Sequence, residues 1–213
     1  MSYHRGMLLP PAELPAFFGL IDIYLFDQLL KGRLTPGMRI LDAGSGAGRN
    51  LPYFLRHGFD VCAVDATPGA LDQVRGLVAE LAPRLPATNF RVEALEALSF
   101  PDEDFDAVIA SAVLHFARDE PHFRGMLGEL WRVLRPGGLF FARLASSIGI
   151  EARVQPLGGG RYHLPDGSDR FLVTEALLAG LAAALGGTPL EPLKTVNVEN
   201  QRCMTTWVLR KAR

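Results

Sequence analysis

Cysteine is scarce in this chain: Cys62 and Cys203 stand alone, with no metal-ligand spacing and no disulfide framework between them. An excess of positive charge is also missing. The formal net charge is −1, so nucleic acid is disfavoured as a main partner, because phosphate binding asks for a basic face. Arg or Glu interrupts every apolar run before it reaches membrane-span length, so no membrane segment is expected. The opening MSYHRGMLLPP has no basic segment followed by a long apolar stretch, so no secretory signal is expected and the cytoplasm is the expected compartment. There is no internal repeat, low-complexity tract or linker. His4, His57, His122 and His163 form no ligand cluster with His115, so no metal is expected. What remains is 213 residues with 48% hydrophobic content, enough to bury the core of one compact domain.

The most informative stretch is Met38–Asn50, MRILDAGSGAGRN. Ile40, Leu41 and Ala43 suit a buried parallel strand. Gly44-Ser45-Gly46-Ala47-Gly48 then break it, and a helix from Ala47 to about His57 is expected at once. Gly44 and Gly46 permit positive φ and let a ligand touch backbone; Gly48 lets the helix lie close to the strand. The N–H groups at that helix start suit a carboxylate or phosphate, and Asp42 can accept from an ammonium group. Together these features suit an amino acid. Dinucleotide sites prefer G-x-G-x-x-G, and Arg49 stands where their third glycine would be.

The first motif so formed is similar to that of the class I methyltransferases that use S-adenosylmethionine. Three further features carry the resemblance through about Arg39–Leu144. Asp65 ends the second strand, Phe59–Asp65. Asp104-Phe105-Asp106 opens the fourth strand, Phe105–Ala112, which leads through Ser111 to Leu114-His115-Phe116. A helix from about Glu120 to Leu134 stops at Arg135-Pro136-Gly137-Gly138 and feeds the fifth strand, Leu139–Leu144. The resemblance implies an α/β, Rossmann-like, doubly wound sheet of seven strands with a C-terminal antiparallel hairpin. It implies S-adenosylmethionine as donor and S-adenosylhomocysteine as product. It implies a donor site drawn from Asp42, Gly44, Ser45, Gly46, Gly48, Arg49, Asn50, Asp65, Ala66, Ala94, Leu95, Glu96, Ser111 and Ala112. Asp65 would take the ribose hydroxyls, with Thr67 capping the next helix from Pro68 to about Ala82. Ala94, near the end of the third strand Asn89–Ala94, departs from the family, which usually has an acid there for the adenine amino group. Either Glu96 or the backbone at Leu95 would replace it.

The flanks suggest where an acceptor binds. Glu13–Leu34 carries apolar residues at helical spacing and ends at Gly32 and Thr35-Pro36-Gly37. It is either a cover for the sheet or a lid over the site, with Tyr24 the best single candidate for contact. His115 is either a packed histidine or a substrate-binding group and base. Arg161, Tyr162, His163 and Arg170 belong either to a surface hairpin or to a grip on a polar or anionic substrate. Thr174 is expected to cap a helix, Glu175–Leu185. A hairpin of Glu191–Val198 and Arg202–Leu209 then places Arg202 either at an edge turn or at the substrate mouth. The chain thus divides into a lid (1–36), a cofactor core (37–145), a substrate-side insertion (146–173) and a C-terminal helix and hairpin (174–213).

The expected activity is methyl transfer to a small-molecule N, O, S or metalloid acceptor, with Tyr24 and His115 the catalytic candidates. Gly48-Arg49-Asn50, Val113–Phe116 and Met204–Lys211 also resemble tellurite-resistance and thiol methyltransferases. The competing classes are a dinucleotide-dependent oxidoreductase and a non-catalytic S-adenosylmethionine-binding protein. The sequence does not specify an oligomeric state.

Overall fold

The computed structural model describes residues 13–213, so His4 and the first third of the expected lid lie outside the described residues. The central sheet joins β1 (Arg39–Ala43), β2 (Asp60–Asp65), β3 (Phe90–Val92), β4 (Phe105–Ser111) and β5 (Leu134–Ser146) as parallel strands in the order β3-β2-β1-β4-β5. The order reverses between β1 and β4, which opens a crevice at their C-terminal ends. Alternating side chains feed two cores. Ile40, Val61, Ala63 and Ile109 face one side; Leu41, Cys62, Val64 and Val108 face the other. On the first side lie α2 (Ile23–Leu30), α3 (Pro52–Arg56) and α4 (Pro68–Leu81). On the second lie α5 (Glu120–Val133) and α6 (Glu175–Ala184).

Beyond β5 the chain forms a separate antiparallel sheet of β6 (Gln155–Gly158), β7 (Arg161–His163) and β8 (Asp169–Phe171). Leu164 and Leu172 bury against Ala145, with Met204 beside them, and so fasten this small sheet to the C-terminal ends of the central one. The expected seven central strands are completed by β10 (Lys194–Val198) and β11 (Arg202–Lys211). β11 runs antiparallel to both β5 and β10. The turn between them therefore falls at the crevice edge. A short strand, β9 (Gly187–Pro189), pairs with the far end of β11 and is an eighth member. Among the described residues no helix is long and apolar enough to cross a membrane.

Several local expectations change. Glu13–Leu34 is two helices, α1 (Leu14–Phe18) and α2, because Gly19 ends α1 at φ 66° and Asp22 begins α2 by accepting from the Tyr24 N–H. A side chain at Gly19 would also approach Pro52 to 2.9 Å. The helix after the glycine loop starts only at Pro52. Residues 44, 46 and 48 all have positive φ, and this curls the chain through turns first. Gly48 accordingly makes room for Val74 and Leu77 of α4, not for the strand. β3 is shorter than expected, and β5 continues directly from α5, its register slipping at the Arg135–Gly138 stretch where Gly137 has φ 76°. Thr174 caps α6 as expected, accepting from the Leu177 N–H at 3.1 Å.

Candidate active site

A cleft of about 520 Å³ opens at the C-terminal ends of β1, β4 and β5 and the N-terminal end of β11, below the small sheet. Gly44, Ser45, Gly46, Arg49 and Asn50 form its floor on the loop side. Gly44 is obligatory twice over: its φ is 70°, and a Cβ would fall 2.3 Å from a Val113 methyl. The loop's N–H groups turn inward. Gly44 and Ser45 donate to the Val64 carbonyl, Gly48 to Ser45, and Gly46 to Asp65 Oδ2 at 2.9 Å. The turns thus use these four donors, and the helix whose start was expected here begins later, at Pro52. The positive charge comes from the Arg49 guanidinium, which donates to Ser111 Oγ at 3.0 Å.

Asp42 lies just behind the loop. It is 1% exposed, and its Oδ2 is buried without a hydrogen-bond partner among the described residues. Burial pushes its carboxyl up to about 7; the Arg49 charge opposes that shift and Asp65 adds to it. A buried acceptor left open in this way fits a cationic group such as an ammonium.

Asp65 is not free, as the sequence reading had it. Its Oδ1 accepts from the Thr67 N–H and its Oδ2 from Gly46, both at 2.9 Å, while the Thr67 side chain makes no capping bond. A carboxylate oxygen has two lone-pair directions, so acceptor capacity toward a diol remains. Asp65, Ala66, Ala94, Leu95 and Glu96 do not line the cleft, and neither do Asp42 and Gly48. Leu95 is buried, and the Glu96 carboxylate reaches His122 Nε2 at 3.2 Å and Arg118 at 3.8 Å.

The opposite wall comes from β4, β5 and the C-terminal hairpin. Ser111 and Ala112 meet the cleft at the end of β4, where Ala112 takes φ 62° and its N–H donates to the Arg143 carbonyl at 2.7 Å. His115 is 6% exposed. Its Nδ1 accepts from the Ala145 N–H at 3.3 Å, so the ring proton sits on Nε2. Burial, and secondarily Arg170, pull its pKa down to about 4. His115 is therefore neutral at pH 7, with its Nδ1 lone pair on the Ala145 N–H and its Nε2–H left as a donor.

Of the other acceptor-side candidates, Arg170 and Arg202 line the cleft, whereas Tyr24, Arg161, Tyr162 and His163 do not. Tyr24 is half-buried, with Arg143 5.4 Å above its ring. Arg161 donates to the Ala117 carbonyl at 3.0 Å, Tyr162 packs with the small core under the antiparallel sheet, and His163 Nδ1 lies 2.7 Å from Asp169 Oδ1. These contacts are structural, and they explain why the hairpin is well knit.

Two site residues escaped the sequence reading. Asp22, whose side chain is fully buried, lies 2.9 Å from Arg143, 3.6 Å from Arg49 and 3.4 Å from Ser111 Oγ; its N–H donates to Asn50. It ties the N-terminal helices to the cleft floor. Arg143 could have been found as the one charge inside the apolar strand stretch LFFARLAS. Asp22 could not, because its place depends on the break at Gly19.

Residues 41–142 match the family model described as a methyltransferase domain. The malonyl-[acyl-carrier protein] O-methyltransferase of Serratia marcescens is 34% identical over 116 residues, covering 54% of this chain and 42% of the relative. The ubiquinone biosynthesis O-methyltransferase of Methylocella silvestris is 33% identical over 168 residues, covering 74% and 63%. The chain thus spans less than two thirds of the length of either relative. Among solved structures, the 1,6-didemethyltoxoflavin-N1-methyltransferase of Burkholderia thailandensis, with bound S-adenosylhomocysteine, shares the fold at a TM-score of 0.66 and 23% identity, over 89% of this chain and 76% of that one. With the strand order, the glycine loop and the matched domain in agreement, the chain belongs to the class I S-adenosylmethionine-dependent methyltransferases.

Proposed function

We propose that this chain transfers a methyl group from S-adenosylmethionine to a small-molecule acceptor. The observation that carries the reading is the buried, unpartnered Oδ2 of Asp42 behind a glycine loop at the reversal of the sheet. When bound, S-adenosylmethionine supplies a methyl group on a positively charged sulfur that leaves as a neutral thioether. Asp42 would hold the donor's ammonium, and Arg49, with Ser45, Asn50, Ser111 and Ala112 around it, the amino-acid end. Asp65 and Ala66 would take the ribose, and Ala94, Leu95 and Glu96 the adenine side. Because the leaving group departs neutral, the chain's task is alignment and exclusion of water, with reacting atoms held about 3–3.5 Å apart. His115 Nε2–H and the arginines of the far wall would orient the acceptor.

The domain arrangement we favour keeps the chain as one unit, with the described part of the lid, the core, the insertion and the hairpin meeting at the crevice. The near-neutral charge supports a small molecule over nucleic acid as partner, and the two buried thiols suit the cytoplasm. Both curated relatives are named O-methyltransferases, which makes oxygen the first acceptor atom to try. Calorimetric titration with S-adenosylmethionine, S-adenosylhomocysteine and NAD tests the reading. The two adenosyl compounds should bind and NAD should not; NAD binding in their place would return the dinucleotide alternative. Binding of the donor with no transfer to any thiol, amine, hydroxyl or carboxylate would leave a non-catalytic binder.

A further inference from the structure

The far wall of the cleft holds a surplus of positive charge and nothing to take a proton. Arg49 and Arg143 share one buried carboxylate, Asp22. Arg170 and Arg202 are not matched in the same way. Arg170 donates to the Asp169 carbonyl at 2.8 Å and lies 5.0 Å over the Phe116 ring, and it forms no ion pair among the described residues. Arg202 is 57% exposed and reaches a single acid, Asp166, at 4.0 Å. Among the described residues Asp166 is the one acid on the cleft surface, and its Oδ1 is taken by the Ser168 N–H and hydroxyl. Burial works to raise its pKa, but the Ser168 bonds and the two arginines outweigh it and leave the carboxyl below its ordinary range. His115 has its free lone pair committed to the Ala145 N–H. Among the described residues no lysine, cysteine, tyrosine or glutamate lines the cleft. Leu164, Val198 and Met204 give the same rim an apolar surface.

Resting on the methyl-transfer reading above, we propose that the acceptor is a carboxylate on an apolar body and that the product is its methyl ester. A phenol or thiol would have to lose a proton first, with ordinary pKa values of about 10 and 8.5, and the described residues of the cleft offer no base. An amine would arrive as an ammonium ion and meet Arg170 and Arg202. A carboxylate is already the nucleophile at neutral pH, and its planar pair of oxygens matches a guanidinium. One oxygen stays with an arginine. The other donates a lone pair to the methyl carbon as the carbon–sulfur bond breaks and its electron pair returns to sulfur. The anion becomes a neutral ester and no proton moves.

The test uses the full chain with S-adenosylmethionine tritiated in the methyl group. The probes are hexanoate, benzoate and cinnamate, set against hexanamide, hexanol, hexanethiol and hexylamine. Carboxylates should yield label that mild base releases as volatile methanol. By calorimetry on the S-adenosylhomocysteine complex, hexanoate should bind and hexanamide should bind at least about tenfold more weakly, the loss expected for a charge-assisted contact. The double variant Arg170→Gln/Arg202→Gln should weaken hexanoate by about tenfold or more, with S-adenosylhomocysteine affinity held within about twofold. Base-stable label on the amine, alcohol or thiol, equal binding of hexanoate and hexanamide, or no carboxylate labelled by a donor-binding protein would each overturn the proposal. Failure to bind S-adenosylhomocysteine at all would instead overturn the methyl-transfer reading beneath it.

Discussion

The loop wall of the cleft, from the turns after β1, presents backbone and glycine to the ligand. The wall from β4, β5, β11 and the small sheet presents guanidinium groups. On the loop wall the Gly44, Ser45, Gly46 and Gly48 N–H groups already have partners inside the protein, while one oxygen of Asp42 behind it has none among the described residues. On the far wall, Arg170 and Arg202 reach outward with little to balance them. A wall of backbone suits a ligand that never changes, as the methyl donor does not. A wall of long side chains can be altered without disturbing the sheet, and so suits an acceptor that differs between relatives.

The sharpest contrast should come from Gly44→Val. Positive φ and a 2.3 Å approach to Val113 act together, and the variant should lose about 3–5 kcal/mol of stability, read from denaturant unfolding. A stable Gly44→Val protein would mean the loop wall is as tolerant as the far one. Next is Asp22→Asn, which takes the negative charge from Arg143 and Arg49 and should cost about 3 kcal/mol. Replacing Arg143 by Met in the same protein should recover much of that loss, because no buried cation is then left unpaired. If the double variant is no better than the single, the charge pairing is not what joins the N-terminal helices to the cleft.

The two walls also titrate in opposite senses. His115 on the far wall has a folded pKa of about 4 against an ordinary 6.5. The unfolded chain therefore binds the extra proton between those values, and stability falls as pH drops from 6.5 toward 4, by up to about 3 kcal/mol. Asp42 on the loop wall has a folded pKa of about 7 against 3.8. Here the folded chain holds the extra proton, and stability falls as pH rises from 3.8 toward 7, by up to about 4 kcal/mol. The contributions offset one another over most of that range. Asp42→Asn should uncover the acid-side loss and His115→Gln the opposite slope, read from unfolding midpoints between pH 4 and 7. Identical profiles in both variants would contradict the assignment.

The smallest effect should be Asp65→Ala. It removes the acceptor for the Gly46 and Thr67 N–H groups and should cost about 1–2 kcal/mol in stability, with a further loss of S-adenosylhomocysteine affinity. Lost stability with unchanged affinity would make Asp65 a loop brace and place the ribose elsewhere.

What was legible in the sequence followed short-range rules. Apolar runs with Gly or Asp at one end located β1, β2, β4 and β5, since a strand buried on both faces needs continuous apolar residues. The glycine spacing located the loop, because positive φ at positions 44, 46 and 48 is a local requirement. Helix continuity was misjudged where turn chemistry competed with periodicity, at Gly19 before Asp22 and across residues 47–51. Only the tertiary structure decided which charges are spent. Asp22 and Arg143 lie 121 positions apart in the chain and meet at 2.9 Å, and Arg161 turns to a backbone carbonyl while Arg170 stays over the cleft. The physical reason is that a side chain's partners across a cleft depend on how separate elements pack, and residue spacing carries no record of that distance.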